Sequence, residues 1–338
     1  MTRILIVTDA WAPQVNGVVR SLENVVREAP SFGVGIKLLT PESFRTVPLP
    51  TYREVRIALT RPGAIAARLE EEAPDYIHIA TEGPLGICAR AACLRSGRAF
   101  TTSYHTRFPE YLAARRLAPA GLTYALMRGF HNAGAGVMVA TETLERELAG
   151  RGFKRLMRWS RGVDADLFRP RGESVLDLPR PIFLTCGRLA VEKNLDAFLS
   201  LHLPGSKVVV GDGPARQELK ARFPEVHFTG VLEGEALASV YASADVFVFP
   251  SLTDTFGIVL LEAMACGVPV AAFPVAGPVD VLGESGAGVL DHDLSKAALS
   301  ALEISRDKAR AHAQTFSWSA CARQFIDNVQ NAHTKDAR

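Results

Sequence analysis

The sequence lacks most of the patterns that place a protein quickly. It has no uninterrupted run of about eighteen apolar residues, so we expect no membrane-spanning helix. Its five cysteines form no Cys-x-x-Cys pair, which speaks against a disulfide framework and a zinc site. The turn after the first strand, in residues 8–21, has no Gly-x-Gly-x-x-Gly, which disfavours a nicotinamide-dependent dehydrogenase. The amino-terminal residues are interrupted too soon to form a signal peptide, so we expect a cytoplasmic protein.

What the sequence does have is an alternation of strands and helices, which is typical of parallel sheets with helical crossovers. With 338 residues, 48% of them hydrophobic, the chain is long enough for two domains. Buried strands are predicted at residues 4–8, 35–40, 76–80, 99–103 and 136–140, and again at 182–186, 207–211, 226–229, 245–249 and 268–273. Residues 160–181, rich in proline, glycine and charge, predict a linker. We therefore expect two doubly wound α/β domains, with ligands at the carboxyl ends of the strands in the cleft between them.

The charge of the chain is unevenly divided, although the net charge is only +2. Residues 1–165 hold 22 Lys and Arg against 15 Asp and Glu, a formal charge of +7, and the remainder holds 16 against 21, or −5. Seven arginines and one acid, Glu110, fall within residues 86–132. Large apolar residues interleave with these arginines, which suits a helical surface on anionic lipid. A solvated helix face is an equally good interpretation. No nucleic-acid-binding motif is present, which disfavours that partner.

The most informative segment is residues 250–270, PSLTDTFGIVLLEAMACGVPV. It follows a buried strand and predicts a helix over residues 257–266. The N–H groups of residues 255–259 then lie at a helix amino terminus, which can bind a phosphate. Asp254 and Glu262 flank this terminus and suit neutral hydroxyl groups better than a second anion. Acids at a helix start also stabilise the helix dipole, so the pattern alone leaves both interpretations open.

This segment closely resembles the Glu-x7-Glu signature of the retaining glycosyltransferases of family 4, with Asp254 in place of the first glutamate. The resemblance covers most of the chain and implies the GT-B fold, in which a carboxy-terminal helix returns to the first domain. We therefore expect residues 1–165 with 316–338 to form an acceptor-side domain, and residues 166–315 to bind the nucleotide sugar. The resemblance implies a UDP- or GDP-linked donor, no metal and no other cofactor.

A second motif places two cations in the loop after the strand at 182–186. Gly187, Arg188, Glu192 and Lys193 match the family's G-R-x-x-x-E-K motif in full. From the residues alone, a surface loop in which Glu192 pairs with one cation is the simpler interpretation. The resemblance implies that Arg188 and Lys193 bind the donor diphosphate and stabilise the charge on the leaving group.

The remaining donor contacts follow from the same resemblance. Asp254 is expected to hold hydroxyl groups of the donor sugar and Glu262 to hold the ribose. Further contacts with the donor are implied for Gly17, Val231, Leu232, Thr255, Phe256, Gly257, Ile258 and Val259.

Four residues of the first half are candidates for the transferred sugar and the acceptor. His105 follows the predicted strand at 99–103, and the resemblance implies a catalytic position near the transferred sugar, although a lone histidine is more often structural. Glu82, Asn16 and Arg107 are assigned to the acceptor side. An equally good interpretation of Glu82 is an acid that stabilises the start of a helix. Arg107 stands where many relatives carry an acid or an amide, which points to an acceptor with negative charge nearby.

The sequence therefore predicts a retaining transferase that moves a hexose from a UDP- or GDP-sugar to a lipid such as diacylglycerol. Its resemblance is to bacterial diacylglycerol and phosphatidylinositol glycosyltransferases. We expect a peripheral protein on the inner face of the cell membrane, held through residues 86–132. Alternatives are a GDP-mannose-dependent mannosyltransferase with a soluble or polysaccharide acceptor, a nucleotide-sugar epimerase of the same fold, and a non-catalytic sensor. An epimerase would leave the basic apolar surface unexplained, and turnover of any donor would exclude a sensor.

Overall fold

The computed structural model describes residues 1–14, 16–49 and 52–336. The contacts divide the chain into two units: Met1–Arg161 with Trp318–Arg338, and Gly162–Ser317. We call them unit 1 and unit 2. In the described residues, each unit contains a six-stranded parallel sheet. No helix in the described part of the chain is both long enough and apolar enough to cross a membrane.

Unit 1 is built on a sheet with helices between its strands. The strands are β1 (Thr2–Val7), β2 (Val34–Leu39), β5 (Tyr76–Ile79), β6 (Thr101–Ser103), β7 (Gly136–Val139) and β8 (Leu156–Arg158), with β3 (Thr46–Leu49) and β4 (Tyr52–Ala58) as a separate antiparallel pair. The helices are α1 (Gly17–Glu28), α2 (Pro62–Glu72), α3 (Pro84–Ser96), α4 (Phe108–Ala114), α5 (Ala120–His131), α6 (Glu142–Gly150) and, from the end of the chain, α14 (Trp318–Asp336). Single 3-10 turns occur at Ala29–Phe32 and Pro41–Ser43.

Unit 2 repeats this plan. Its strands are β9 (Ile182–Cys186), β10 (Ser206–Val210), β11 (His227–Gly230), β12 (Val246–Phe249), β13 (Val270–Ala272) and β14 (Gly288–Leu290). Its helices are α7 (Leu195–Leu199), α8 (Arg216–Arg222), α9 (Gly234–Ser243), α10 (Ile258–Ala265), α11 (Ala276–Leu282), α12 (Leu294–Ala301) and α13 (Arg306–Ala313), with a 3-10 turn at Val191–Lys193.

The central strands are hydrophobic because helices cover both faces of each sheet. All four residues of β12, VFVF, are buried, as are the last four residues of β1. The α1 helix buries Val19, Leu22 and Val25 on one face, the spacing expected of an amphipathic helix. The sequence therefore dictates strands with two covered faces and helices with one.

The strand order locates where a ligand can bind in each unit. In unit 2 the order is β11-β10-β9-β12-β13-β14, so the chain leaves β9 in one direction and resumes at β12 on its other side. In unit 1 the order is β2-β1-β5-β6-β7-β8, and the reversal falls between β1 and β5. Loops diverge at such a reversal, and the crevice at the carboxyl ends of the two strands is the usual ligand site.

The predicted fold class is confirmed, and each of the ten predicted strands is present to within two residues. The edge strands β8 and β14 and the β3–β4 pair were not predicted. Each edge strand has only three residues, too few to establish a period. The last helix, predicted over about residues 318–329, continues to Asp336.

Candidate active site

The crevice of unit 2 is formed by the loops that follow β9 and β12. Three side-chain hydrogen bonds join these loops. Thr253 Oγ1 donates to the carbonyl of Glu192 over 3.3 Å, Asn194 Nδ2 donates to the carbonyl of Pro250 over 3.0 Å, and Lys193 Nζ donates to Asp254 Oδ1 over 2.6 Å. The two sequence motifs, which lie about sixty residues apart, therefore meet at the topological reversal of the sheet.

The ion pair between Lys193 and Asp254 is the centre of this crevice. Both side chains remain partly accessible, at 26% and 17% exposure. The second carboxylate oxygen of Asp254, Oδ2, is buried and has no hydrogen-bond partner among the described residues. A buried acceptor without a donor is costly, so this oxygen is suited to accept a hydrogen bond from a ligand hydroxyl.

The α10 helix begins beside this pair, and its N-cap residue provides no side-chain cap. Its N-cap residue, Gly257, has a φ of +89°, and a Cβ there would lie 3.1 Å from Leu260 Cδ1 and 3.2 Å from Phe249 Cζ. Both conditions favour glycine. Because glycine offers no side chain to cap the helix, the N–H groups of the first turn are not satisfied by the N-cap residue and can receive an anion.

The other predicted residues of this segment differ in what they expose. Thr255, Ile258 and Val259 are half-buried. Phe256 is 5% exposed, and its ring packs edge-on against Phe316 at 6.3 Å. The side chain of Phe256 therefore belongs to the core, and a donor contact there would have to use the backbone.

Glu262 accepts a hydrogen bond from Tyr241, a residue that was not predicted to belong to the site. Its side chain is on the first turns of α10 and is 2% exposed, and Tyr241 of α9 donates its phenolic hydrogen to Glu262 Oε2 over 3.0 Å. Burial, together with Cys186 and Glu262 nearby, raises the pKa of Tyr241 well above its usual value. The phenol therefore stays protonated and orients the carboxylate. A tyrosine in an apolar helix carries no sequence signal for this role.

Three further donor candidates lie at the same edge of the sheet, because the carboxyl ends of parallel strands share one edge. Arg188 is half-buried two residues after β9. Val231, directly after β11, is 57% exposed, and Leu232 beside it is half-buried.

In unit 1, a carboxylate already occupies the corresponding crevice. Asp9, two residues after β1, accepts hydrogen bonds from the N–H groups of Leu85 over 2.8 Å and Gly86 over 3.1 Å. It also accepts one from Thr81 Oγ1 over 2.9 Å. A Cβ on Gly83 would lie 2.4 Å from Asp9 Cγ. The start of α3 is thus capped by Asp9 instead of being open to a phosphate.

Asn16 and Gly17 form the start of α1. Asn16 Oδ1 accepts hydrogen bonds from the N–H groups of Val18 and Val19 over 3.0 and 3.1 Å, and Gly17 is the first helical residue. Asn16 therefore caps this helix, and any contact with the acceptor remains a prediction.

Glu82 is oriented by a buried histidine that the sequence analysis missed. His131, the last residue of α5, lies 3.0 Å from Glu82 Oε1 through Nε2 and 2.9 Å from Thr102 Oγ1 through Nδ1. The ring is fully buried, and the Glu82 side chain is 8% exposed. This arrangement gives the carboxylate a defined position at the carboxyl end of the unit 1 sheet.

His105 follows β6 at the same edge. Its Nδ1 lies 3.2 Å from the Nη2 of Arg161, and its ring packs against Trp159 with centroids 5.5 Å apart. Burial, and then the charge of Arg161, lower the pKa of His105 well below its usual value. The ring is therefore neutral near pH 7.

Arg107 lies within a cluster of charges. Its guanidinium is 2.7 Å from Glu147 and 3.4 Å from Glu110, and its side chain is only 11% exposed. Tyr124 also bonds to both acids. The two carboxylates balance the charge of Arg107, so a role in recognising an anionic acceptor stays a prediction.

Comparison with known proteins assigns the chain to a family. Residues 180–307 match the family described as Glycosyl transferases group 1, and residues 15–167 match Glycosyltransferase Family 4. The two matches cover most of both units.

Three relatives illustrate the range of the family. The sulfoquinovosyl transferase of Arabidopsis thaliana is 31% identical, over 81% of this chain and 60% of its own length. This chain thus spans less than two thirds of the plant relative. The GDP-mannose-dependent alpha-mannosyltransferase of Corynebacterium glutamicum is 31% identical, over 85% of this chain and 76% of its own length. The alpha-monoglucosyldiacylglycerol synthase of Streptococcus pneumoniae is 26% identical, over 90% of this chain and 79% of its own length.

A solved structure supports the fold. The sucrose-phosphate synthase of Thermosynechococcus elongatus superimposes with a TM-score of 0.81 at 19% identity, covering 99% of this chain and all of the other. Together, the two family matches, the relatives and this fold lead to one assignment. The chain belongs to glycosyltransferase family 4 (group 1), and it is a GT-B glycosyltransferase that uses a nucleotide-sugar donor.

Proposed function

We propose that this protein transfers a hexose from a nucleotide-diphosphate sugar to a lipid acceptor, with retention of the anomeric configuration. The observation that carries the donor half of this proposal is the start of α10, with a glycine as its N-cap residue, beside the Lys193–Asp254 pair. An anion and a hydroxylated ring can both be held there within a few ångströms. The acceptor half depends on an exposed apolar surface of unit 1.

In this proposal the donor lies along the crevice of unit 2. The first-turn N–H groups of α10 and the cations Arg188 and Lys193 bind the diphosphate. Glu262, oriented by Tyr241, accepts hydrogen bonds from the ribose hydroxyls. Asp254 uses its unpartnered Oδ2 to accept a hydrogen bond from a hydroxyl of the sugar.

The chemistry breaks the bond between the anomeric carbon and the oxygen of the distal phosphate. The acceptor hydroxyl forms the new bond from the same face, and its proton passes to the departing phosphate oxygen. Lys193 and Arg188 stabilise the negative charge that develops on the leaving diphosphate. Asp254 pairs with Lys193 and Glu262 with Tyr241, and the proposal assigns neither carboxylate the role of a covalent nucleophile.

The cations of the crevice also support a reaction without a metal ion. The proposal therefore assigns the neutralisation of the diphosphate to Lys193, Arg188 and the helix dipole.

The lipid acceptor is supported by three leucines on and before α5. Leu117, Leu122 and Leu126 are 70%, 58% and 67% exposed, and we call them the leucine surface. Leu122 and Leu126 are four residues apart and share one face of α5, whereas Tyr124 and Met127 are buried on another. Apolar side chains held in water are unfavourable, and they fit a membrane interface.

Two exposed arginines lie close to these leucines in the sequence. Arg116, directly before Leu117, and Arg128, two residues after Leu126, are both exposed. Arg90 of α3 donates to the carbonyls of Gly129 and Phe130, which links α3 to the end of α5. Basic residues beside exposed leucines favour a surface of anionic lipid. The relative named as a monoglucosyldiacylglycerol synthase supports the same acceptor class.

The function is tested by a screen of donors against acceptors. UDP-glucose, UDP-galactose, UDP-glucuronic acid and GDP-mannose are each mixed with the protein, with and without anionic liposomes that contain diacylglycerol. We expect one donor to yield a glycolipid, detected by mass spectrometry, only when liposomes are present. Nucleotide release without a glycolipid would contradict the lipid acceptor, and no consumption of any donor would favour the sensor.

Removal of the leucine surface separates membrane binding from chemistry. The double variant Leu122→Ser/Leu126→Ser should bind anionic vesicles at least about tenfold more weakly, because each leucine contributes roughly 1.5–3 kcal/mol when fully buried. Binding is measured by vesicle sedimentation, and binding of the free nucleotide should be unchanged. Leu299→Ser, at an exposed leucine of α12, is the matched control. Equal sedimentation of the double variant and the wild type would contradict the assigned surface.

The GDP-mannose arm of the screen tests a second candidate. The relative from Corynebacterium glutamicum is named a GDP-mannose-dependent alpha-mannosyltransferase, and this favours GDP-mannose as the donor. Transfer of mannose to a soluble or polysaccharide acceptor without liposomes would select the alternative over the lipid acceptor.

The role of Tyr241 gives a prediction for nucleotide binding. Tyr241→Phe removes the hydrogen bond that orients Glu262, worth about 1 kcal/mol, so the Kd for UDP or GDP should rise roughly five- to tenfold. Isothermal titration calorimetry measures the change. Tyr76→Phe, in β5 of unit 1, makes the same chemical change away from this crevice and should leave the Kd unaltered. An unchanged Kd in Tyr241→Phe would remove Tyr241 from the site.

A further inference from the structure

Arg161 is an arginine of unit 1 that the proposed chemistry does not use. It is 6% exposed and lies three residues after β8. Its Nη1 donates to the carbonyls of Trp159 and Ser160 over 2.6 and 2.8 Å, and its guanidinium carbon lies 4.2 Å from the centroid of the Trp159 ring. Three contacts from neighbouring residues therefore fix the orientation of the guanidinium.

This fixed guanidinium is directed at His105. The Nη2 of Arg161 lies 3.2 Å from His105 Nδ1. A guanidinium has only donors, so the Nδ1 of His105 must be the acceptor and cannot carry a hydrogen. The single proton of a neutral imidazole is then on Nε2.

The surroundings also keep the ring neutral. Burial is the largest cause of the lowered pKa of His105, followed by the charge of Arg161. His78 and His131 also lower the pKa of His105. A second proton would have to enter at Nδ1, where it would oppose the N–H of Arg161.

We propose that Arg161 is a positioning residue that holds His105 as the neutral, Nε2-protonated tautomer, so that His105 donates a hydrogen bond to the substrate and does not act as a base. The proton of the acceptor hydroxyl then passes to the departing phosphate oxygen and not to His105. The contact with substrate rests on the proposed function. The tautomer rests only on the geometry of unit 1.

The wild-type protein tests the tautomer without any substrate. Histidine labelled with ¹⁵N is incorporated, and two-bond nitrogen–proton correlation spectra are recorded from about pH 5.5 to about pH 8, the range in which an ordinary histidine titrates. The His105 signals are identified by their loss in His105→Gln. We expect a protonated Nε2 and an unprotonated Nδ1 throughout. A protonated Nδ1, or a titration within this range, would overturn the proposal.

Two substitutions test the part played by Arg161. Arg161→Met removes the donor, so the nitrogen shifts of His105 should become averaged between tautomers and should change with pH. The pH profile of kcat should then acquire an acidic limb that the wild type lacks. Arg161→Lys keeps a cationic donor and should restore both the spectrum and the flat profile. Wild-type shifts in a folded Arg161→Met would show that Arg161 does not set the tautomer.

The spectra and the kinetics can fail independently, so a wrong tautomer is distinguishable from a wrong function. If Arg161→Met does not fold, the wild-type and Arg161→Lys spectra still decide the tautomer. If no donor is consumed at all, the spectra are unaffected, because they contain no substrate. The spectra could show the expected tautomer while kcat of the wild type falls at acidic pH because of His105. That result would contradict only the role of His105 as a hydrogen-bond donor to the substrate.

Discussion

Replacing Lys193 with alanine is expected to lower kcat for sugar transfer by about 100- to 1,000-fold, the loss typical of removing one preorganised group that stabilises charge in a transition state. Lys193 pairs with Asp254 in the crevice, so the substitution removes a cation next to the proposed position of the departing diphosphate and leaves Asp254 Oδ1 without its donor. Both effects oppose the formation of negative charge. Steady-state kinetics with the donor found in the screen measure the change.

The structural cost of this substitution should be small. The Lys193–Asp254 pair is partly exposed, and such pairs contribute at most about 1 kcal/mol to the free energy of unfolding. The melting temperature of Lys193→Ala should therefore stay close to that of the wild type. Lys220→Ala, an exposed lysine of α8, is the matched control and should retain full activity. Near-normal turnover in Lys193→Ala would refute leaving-group stabilisation by this residue.

Acidification is expected to destabilise unit 1 through His78. This ring is fully buried between Thr101 Oγ1 at 2.8 Å and Ser103 Oγ at 2.9 Å, and it packs against Phe325. Burial, and then the neighbouring His333 and His131, lower the pKa of His78 to about 3. The folded protein must therefore keep this ring neutral.

The direction of the pH effect follows from that shift. A histidine in the unfolded chain has a pKa of about 6.5. Below that pH the unfolded chain binds a proton that the folded chain does not bind. The stabilisation is complete above about pH 6.5 and is lost as the pH falls towards the folded pKa. Between about pH 7.5 and about pH 5, His78 alone should remove about 2 kcal/mol from the free energy of unfolding. The lowered pKa of His105 acts in the same direction.

Urea unfolding followed by tryptophan fluorescence measures this loss. The three tryptophans, Trp11, Trp159 and Trp318, all belong to unit 1, so their emission reports on this unit. His78→Gln should be less stable than the wild type at neutral pH but should lose less stability on acidification. His202→Gln, at an exposed histidine of unit 2, should keep the wild-type slope. The same slope in His78→Gln as in the wild type would show that another group controls the acid response.

Residues 250–270 illustrate how much of a candidate site can be predicted from sequence. The helix that begins after Gly257 was predicted over residues 257–266 and runs from Ile258 to Ala265. Local signals suffice to predict this helix, because a buried strand, a glycine at the N-cap and a closing Gly-x-Pro follow one another closely in the sequence. The role of Phe256 could not be read in this way. An aromatic residue at a helix start has the same pattern whether it packs on Phe316 or contacts a ligand.

In the first half of the chain the contacts of the polar residues were less predictable, because their partners lie far away in the sequence. Asp9 follows β1 at the edge of the sheet where a ligand is expected, yet it caps α3 through amides 76 and 77 residues further along the chain. Arg107 was assigned to an acceptor with negative charge nearby, and its guanidinium pairs with Glu147, forty residues later. Neither partner can be identified from spacing, because the sheet topology decides which loops meet.

The sequence by itself determined the succession of strands and helices, the two sheets and the segments that carry the donor motifs. These are consequences of local periodicity, of buried apolar runs and of glycine and proline at the ends of elements. Only the tertiary structure decided that Lys193 pairs with Asp254, that Tyr241 donates to Glu262 and that Arg161 contacts His105 Nδ1. Each of these contacts joins residues from 21 to 61 positions apart. Such pairs form because a parallel sheet brings the loops at the carboxyl ends of its strands to one edge, and their chemistry depends on burial that no local pattern reveals.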